Sequence, residues 1–212
     1  MSKASVEDIK LASAGLRGQL AEQFADTSTP NIPEDSNILL KHHGSYQQDD
    51  RDVRAERTKA KLDKAWSFMI RSKMPGGRIS AKQWLIHDDL CEKAFGNMRL
   101  TNRQGIQLHG VLKGGLKEVI SNVCHSGLST MGACGDVVRN TMGPAAPIKD
   151  AVHADTQTLT EEISQRFLWR SQAYADIWLD GEKIEPEWTQ DPEVNPAVRE
   201  ATKAPEGDDP IY

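Results

Sequence analysis

The sequence predicts an α+β fold whose central part follows the ferredoxin-like, or split βαβ, order of elements. Residues 65–131 alternate between period-two apolar patterns and helical patterns, in the order β-α-β-β-α. Turn signals such as Pro75-Gly76-Gly77 separate these patterns. The length of 212 residues, with 38% hydrophobic residues, suits one large or two small domains around a buried core.

The first 60 residues are predicted to form an N-terminal helical or extended segment. Apolar residues recur from Val6 to Phe24 behind a Ser5 cap, a pattern typical of an amphipathic helix. A break follows at 27–33, where Thr, Ser and Pro cluster. The densely charged segment 47–64 is predicted to be helical only in part.

Residues 61–131 are predicted to form the ferredoxin-like half-domain. The expected elements are a strand at 65–74, a helix from 80 to about 95, strands at 98–101 and 106–110, a helix at 116–125 and a completing strand near 129–131.

Residues 132–184 are predicted to begin a second α+β domain. A glycine-bracketed turn at 132–140 could start a helix, and a polar helix at about 151–167 and a strand at 175–180 follow. Residues 185–212 are acidic and rich in proline, which predicts an extended, solvated linker.

Composition and missing motifs exclude several classes of protein. A net charge of −5 argues against a general nucleic-acid binder, and no apolar run is long enough to cross a membrane. Three cysteines at irregular spacings fit neither a disulfide framework nor a Cys-x-x-Cys metal site, so reduced thiols and a cytoplasmic location are expected. The common nucleotide-binding and hydrolase motifs do not occur.

Polar side chains along the two predicted strands between 98 and 109 are the first candidate site. Their spacing allows several of them to share one face of a sheet, which would offer guanidinium groups to a multiply charged carboxylate or phosphate. A plain solvent-exposed strand explains the same spacing equally well. Arg71, in an otherwise apolar strand, and Arg139, in the glycine-rich turn, could equally be ordinary ion-pair partners.

Five segments, in order, resemble the sirohaem-dependent nitrite and sulfite reductases. The segments are 43–52, 71–77, 99–110, 132–140 and 174–180. The resemblance covers roughly residues 37–184, and the His-Gly-x-Tyr-Gln-Gln motif that begins at His43 favours the sulfite branch of the family. Residues 132–184 would accordingly begin the sirohaem and [4Fe–4S] domain.

The resemblance implies a six-electron reduction of sulfite to sulfide on a sirohaem that a cysteine thiolate bridges to a [4Fe–4S] cluster. By motif position, Arg71 and Arg139 would face the substrate. The residues that would line the sirohaem are Tyr46, Gln48, Arg99, Thr101, Asn102, Arg103, Gln107 and His109. The implied partners are sulfite, the remainder of the enzyme, and an electron donor that is either ferredoxin or an NADPH-flavoprotein subunit.

The chain also departs from the family pattern. The cluster ligands of the family, a Cys-x5-Cys pair and a Cys-x3-Cys pair, have no counterpart here, so no metal ligand is assigned. The chain therefore looks like an N-terminal portion that should not turn over alone. Assimilatory nitrite reductase and a non-catalytic sirohaem-binding or assembly module are the alternatives. A ferredoxin-like nucleic-acid binder would need exposed aromatic residues, and 99–109 contains none.

Overall fold

A four-stranded antiparallel sheet forms the centre of the computed structural model, which describes residues 4–135 and 137–168. The strands, in chain order, are β1 Ser45–Asp49, β2 Trp66–Ser72, β3 Met98–Leu100 and β4 Ile106–Val111. They lie side by side in the order β1-β2-β4-β3, and every pair is antiparallel. The mixed α/β architecture and the β2-β4-β3 arrangement agree with the predicted ferredoxin-like order.

The edge position beside β2 is filled by β1, which comes from the N-terminal segment. The predicted completing strand near 129–131 is wrong, because Ser129 makes only a single bridge, to Lys73. Gly44 leads into β1 with a φ of 80°, and a side chain there would collide with the backbone carbonyl of Thr130. The sheet therefore takes its fourth strand from before the half-domain.

Seven α-helices surround the sheet in the described residues. They are α1 Val6–Leu11, α2 Leu20–Ala25, α3 Glu34–His42, α4 Arg54–Lys59, α5 Ala81–Leu90, α6 Leu116–His125 and α7 Ala151–Arg166. The Ser5 and Ser80 caps are confirmed, each within a capping box. The single helix predicted from Ser5 is wrong, because a turn that includes Gly15 and Gly18 at positive φ separates α1 from α2.

The apolar side of the sheet supplies the core. Phe68 and Ile70 of β2 and Ile106 and Leu108 of β4 are almost fully buried and belong to one cluster with Val119, Ile120 and Val123 of α6. Burial of each such side chain contributes about 1.5–3 kcal/mol. Successive strand residues point to opposite sides, so this packing turns the alternate residues of each strand to the other face.

Helix α7 is where the sequence predicts it, whereas residues 137–148 contain no helix or strand, so the 132–140 turn starts no helix that the structure describes. The predicted strand at 175–180 and the linker at 185–212 lie outside the described residues. No helix within the described ranges is long and apolar enough to cross a membrane.

Candidate functional site

The face of the sheet opposite the core carries most of the predicted site residues. Arg71 of β2 and Arg99 of β3 both pair with Gln107 of β4, so these three side chains lie in one row across the sheet. Residues two positions along the strands share the same face. This polar face comprises Tyr46, Gln48, Arg71, Arg99, Gln107 and His109. The alternation of apolar and polar residues that the sequence predicts for 106–109 is therefore present in β4.

The Arg71 guanidinium is held by the protein on all three of its nitrogens. Nη1 donates to the carbonyl oxygen of Ala133 at 2.8 Å and lies 3.2 Å from Cys134 Sγ. The amide of Gln107 turns its oxygen to the guanidinium, which donates from Nε at 2.8 Å and also from Nη2. Because a guanidinium only donates, this orientation of the amide satisfies both groups. Arg71 is thus a rigidly placed cation.

His109 continues this chain of hydrogen bonds as a neutral imidazole. Gln107 Nε2 donates to His109 Nε2 at 3.0 Å, which leaves the ring proton on Nδ1. Nδ1 lies 3.0 Å from the amide group of Gln48, which accepts this proton when its oxygen, and not Nε2, is turned to the ring. Burial, together with the nearby charges of Arg99 and Arg71, lowers the pKa of His109 to about 4. The ring is therefore uncharged at neutral pH and acts as a polar link between β1 and β4.

A cleft of about 530 Å³ lies beside Arg71 and also contains Arg139. Tyr46 and Cys134 line it together with residues of α1 and α3. Arg139 donates from Nε to the carbonyl oxygen of Gly135 at 3.1 Å, and its terminal nitrogens have no protein partner within the described ranges. Among the described residues, the terminal nitrogens of Arg139 are thus unoccupied, whereas Arg71 is largely occupied.

The remaining predicted residues lie in the loop between β3 and β4. Thr101 has a structural role, because its Oγ1 accepts a hydrogen bond from the Gly105 amide at 3.1 Å and closes the turn. Asn102 and Arg103 are exposed at the loop tip. The structure therefore places Arg103 on the surface, and its side chain makes no hydrogen bond or ion pair with another described residue.

Two residues that sequence reasoning missed fix this loop and the Arg139 segment. Asn140 Nδ2 lies 2.8 Å from the carbonyl oxygens of both Met74 and Arg103. Lys73 is buried and donates to the Val138 carbonyl oxygen at 3.2 Å, and burial lowers its pKa to about 8. Asn140 lies within the family-like segment 132–140, but nothing in the sequence indicates that its amide joins three segments.

The described residues suit an anionic macrocycle better than a metal cluster. Cationic and hydrogen-bonding side chains on one sheet face match a ligand with many carboxylates. No group of three or more His, Cys, Asp or Glu side chains in the described ranges could hold a metal ion. The three cysteines do not form such a group, and Cys91 lies in the apolar core. An iron–sulfur cluster would need ligands from elsewhere.

Comparison with known proteins identifies the family. Residues 63–123 match the model of the nitrite/sulfite reductase ferredoxin-like half domain. The NADPH sulfite reductase hemoprotein beta-component of Bacillus pumilus is 46% identical over 194 residues, which is 91% of this chain and 34% of that protein. The chain belongs to the nitrite/sulfite reductase family. The corresponding Bacillus subtilis protein is 44% identical over 196 residues, 92% of this chain and 34% of that protein.

A solved structure shares the fold. The NirA protein of Mycobacterium tuberculosis superposes with a TM-score of 0.61 and 21% sequence identity, over 79% of this chain and 32% of that protein. The chain spans about a third of the length of the curated relatives that it matches. The aligned relatives therefore match both the half-domain and the segments that flank it.

Proposed function

We propose that this chain forms the sirohaem-facing and anion-binding part of an assimilatory sulfite reductase hemoprotein. The observation that carries the proposal is the joining of the polar face to the cleft: Arg71 belongs to both, and Arg139 lies beside it. A bound sirohaem, coupled to a [4Fe–4S] cluster, would supply the electrons for the six-electron reduction of sulfite to sulfide. The chain's own side chains would supply charge, orientation and hydrogen bonds.

The residues divide into two roles under this proposal. Arg99 and Arg103 would hold carboxylates of the macrocycle as charged forks, with Tyr46, Gln48, Asn102, Gln107 and His109 as hydrogen-bonding neighbours. Arg139 would bind the sulfite anion through its terminal nitrogens, and Arg71 would face the same anion from a fixed position. Donors placed in advance around an oxyanion stabilise the charge that develops as oxygen leaves as water.

The electron donor is proposed from the names of the relatives. These proteins are called NADPH sulfite reductase hemoprotein beta-components, which supports an NADPH-dependent flavoprotein partner for this chain. Ferredoxin remains the alternative electron donor that the sequence resemblance implies. The cytoplasmic location also stays a prediction.

A chimera tests the proposal. This chain replaces the aligned third of the Bacillus subtilis hemoprotein, and sirohaem absorbance, sulfide release and nitrite reduction are measured on the purified protein. We expect bound sirohaem and faster sulfite than nitrite reduction. Arg139→Ala should slow sulfide release while sirohaem is retained, and Arg103→Ala should first lose sirohaem.

Three outcomes would change the assignment. A chimera that melts cooperatively but lacks tetrapyrrole absorbance would refute the sirohaem role. Faster nitrite reduction would favour the nitrite branch. Full sirohaem without turnover would favour the binding or assembly module.

A further inference from the structure

Two lysines face the same cleft as Arg71 and Arg139. Lys10 extends from α1 and Lys41 from the last turn of α3, and both are half-buried. Neither residue belongs to the segments for which the sequence predicts site residues. The N-terminal helices therefore form one wall of the cleft, and that wall carries charge of the same sign as Arg71 and Arg139.

These four cations have no carboxylate partner in the part of the chain that the structure describes. No Asp or Glu is among the described residues that line the cleft, and none of the four takes part in an ion pair there. Like charges held together repel one another, which disfavours the folded state unless an anion is bound between them. A bound ligand with at least one negative charge would offset this repulsion.

The charge of Lys41 converges with those of the two arginines on Cys134. Burial raises the pKa of the Cys134 thiol, while Arg71, Arg139 and Lys41 each act to lower it. The Cys134 side chain thus lies within electrostatic reach of all three cations. Favourable interaction with the C-terminal end of α3 explains a lysine in its last turn, but it does not explain a lysine that faces this cleft.

We propose that Lys41, with Lys10 beside it, is a further anion-binding residue of this cleft. The anion is an oxyanion such as sulfite or a carboxylate of a bound macrocycle, since both offer acceptor oxygens to an ammonium group. The choice between these two rests on the proposed function, whereas the presence of an anion site does not. The N-terminal helices then contribute directly to ligand binding as well as to the fold.

Anion-dependent stabilisation of the full chain tests this inference. The Tm is measured against increasing sulfite, and separately against acetate as a carboxylate probe, at constant ionic strength maintained with chloride. We expect Lys41→Gln to raise the half-saturating anion concentration by about three- to tenfold, the range expected for loss of one partly screened charge. Lys41→Arg should retain binding, and Lys82→Gln, on the exposed surface of α5, should match the wild type.

Chemical labelling gives a second readout on the unmodified chain. Lys41 and Lys10 should be protected by sulfite from an amine-reactive reagent, as quantified by mass spectrometry, while Lys82 should not be. Stronger protection by acetate than by sulfite would assign the site to a macrocycle carboxylate.

Two results would overturn the inference. They are an unchanged half-saturating concentration in Lys41→Gln, and equal labelling of Lys41 with and without either anion. A lower Tm in Lys41→Gln with the same anion dependence would show that the lysine only stabilises α3. Sirohaem content of the chimera tests the proposed function independently, so either proposal can fail without the other.

Discussion

Arg71 and Gln107 join the two central strands through their side chains, with the guanidinium Nε 2.8 Å from the amide oxygen. This pair decides the orientation of the whole polar chain, because the fixed amide oxygen leaves only the amide nitrogen to face His109. The neutral tautomer of His109 follows from that contact. One arginine in an apolar strand thereby sets the hydrogen-bond direction across three strands.

Replacing Gln107 with glutamate should raise the pKa of His109 above its value of about 4. A carboxylate would still accept from Arg71, but it would place a negative charge 3.0 Å from the imidazole, which favours the protonated ring. NMR titration of the His109 ring resonances measures the change. Gln19→Glu, at the start of α2 and without a side-chain cap bond, is the matched control. An unchanged His109 titration in Gln107→Glu would refute the contact.

Arg71→Ala and Arg139→Ala should differ in their effect on stability. Loss of Arg71 leaves the Ala133 carbonyl and the Gln107 amide without their donor, which costs about 1–3 kcal/mol in the free energy of unfolding. Loss of Arg139 removes one bond to Gly135, and we expect a change within about 0.5 kcal/mol. Urea denaturation of the two variants gives both values. Equal destabilisation would show that Arg139 has a structural role beyond that one bond.

The sequence predicts the half-domain well because its apolar residues repeat with clear periods. Strand β1 escapes prediction because Tyr46, Gln47 and Gln48 show no apolar alternation, and its pairing with β2 depends on residues far along the chain. Whether the polar residues of 98–109 line a site or a plain solvent-exposed strand likewise depends on tertiary structure. Burial of Ile106 and Leu108 in the core turns Gln107 and His109 to the polar face.

The residues of the cleft are also hard to predict from the sequence, because distant segments bring them together. A lysine in the last turn of a helix, such as Lys41, carries no local signal that it faces the cleft. Likewise, the hydrogen bonds of Asn140 to Met74 and Arg103 span more than 30 residues of sequence. The motif resemblance predicts that Arg139 faces the substrate, but only the folded chain shows that its Nε donates to the Gly135 carbonyl oxygen.

Asn140→Ala should loosen the loop between β3 and β4. The variant loses the donor that joins the carbonyl oxygens of Met74 and Arg103, and we expect destabilisation of about 1–3 kcal/mol. Hydrogen–deuterium exchange should rise in 101–105 and 73–77, whereas strand β2 should remain protected. Asn97→Ala, which removes one exposed bond to the Phe95 carbonyl, is the control. Unchanged exchange in both segments would contradict the role of Asn140.

His43→Gln should make the chain less sensitive to acid. His43 is fully buried, with Nε2 3.2 Å from the Leu16 carbonyl oxygen, and burial lowers its pKa from 6.5 to about 3. Between these values the unfolded chain binds a proton that the native chain does not, so stability falls as pH drops from about 6.5 to about 3. The loss can reach about 5 kcal/mol, and glutamine retains the N–H donor without titrating.

Urea denaturation at pH 7 and at pH 4 measures this effect. The fall in unfolding free energy between the two pH values should be smaller in His43→Gln than in the wild type, by about 2–3 kcal/mol. His125→Gln, on the exposed surface of α6, is the matched control and should retain the wild-type difference. His109 contributes in the same direction in all three proteins, so it cancels in the comparison. An equal acid sensitivity of His43→Gln and the wild type would show that His43 does not carry this proton linkage.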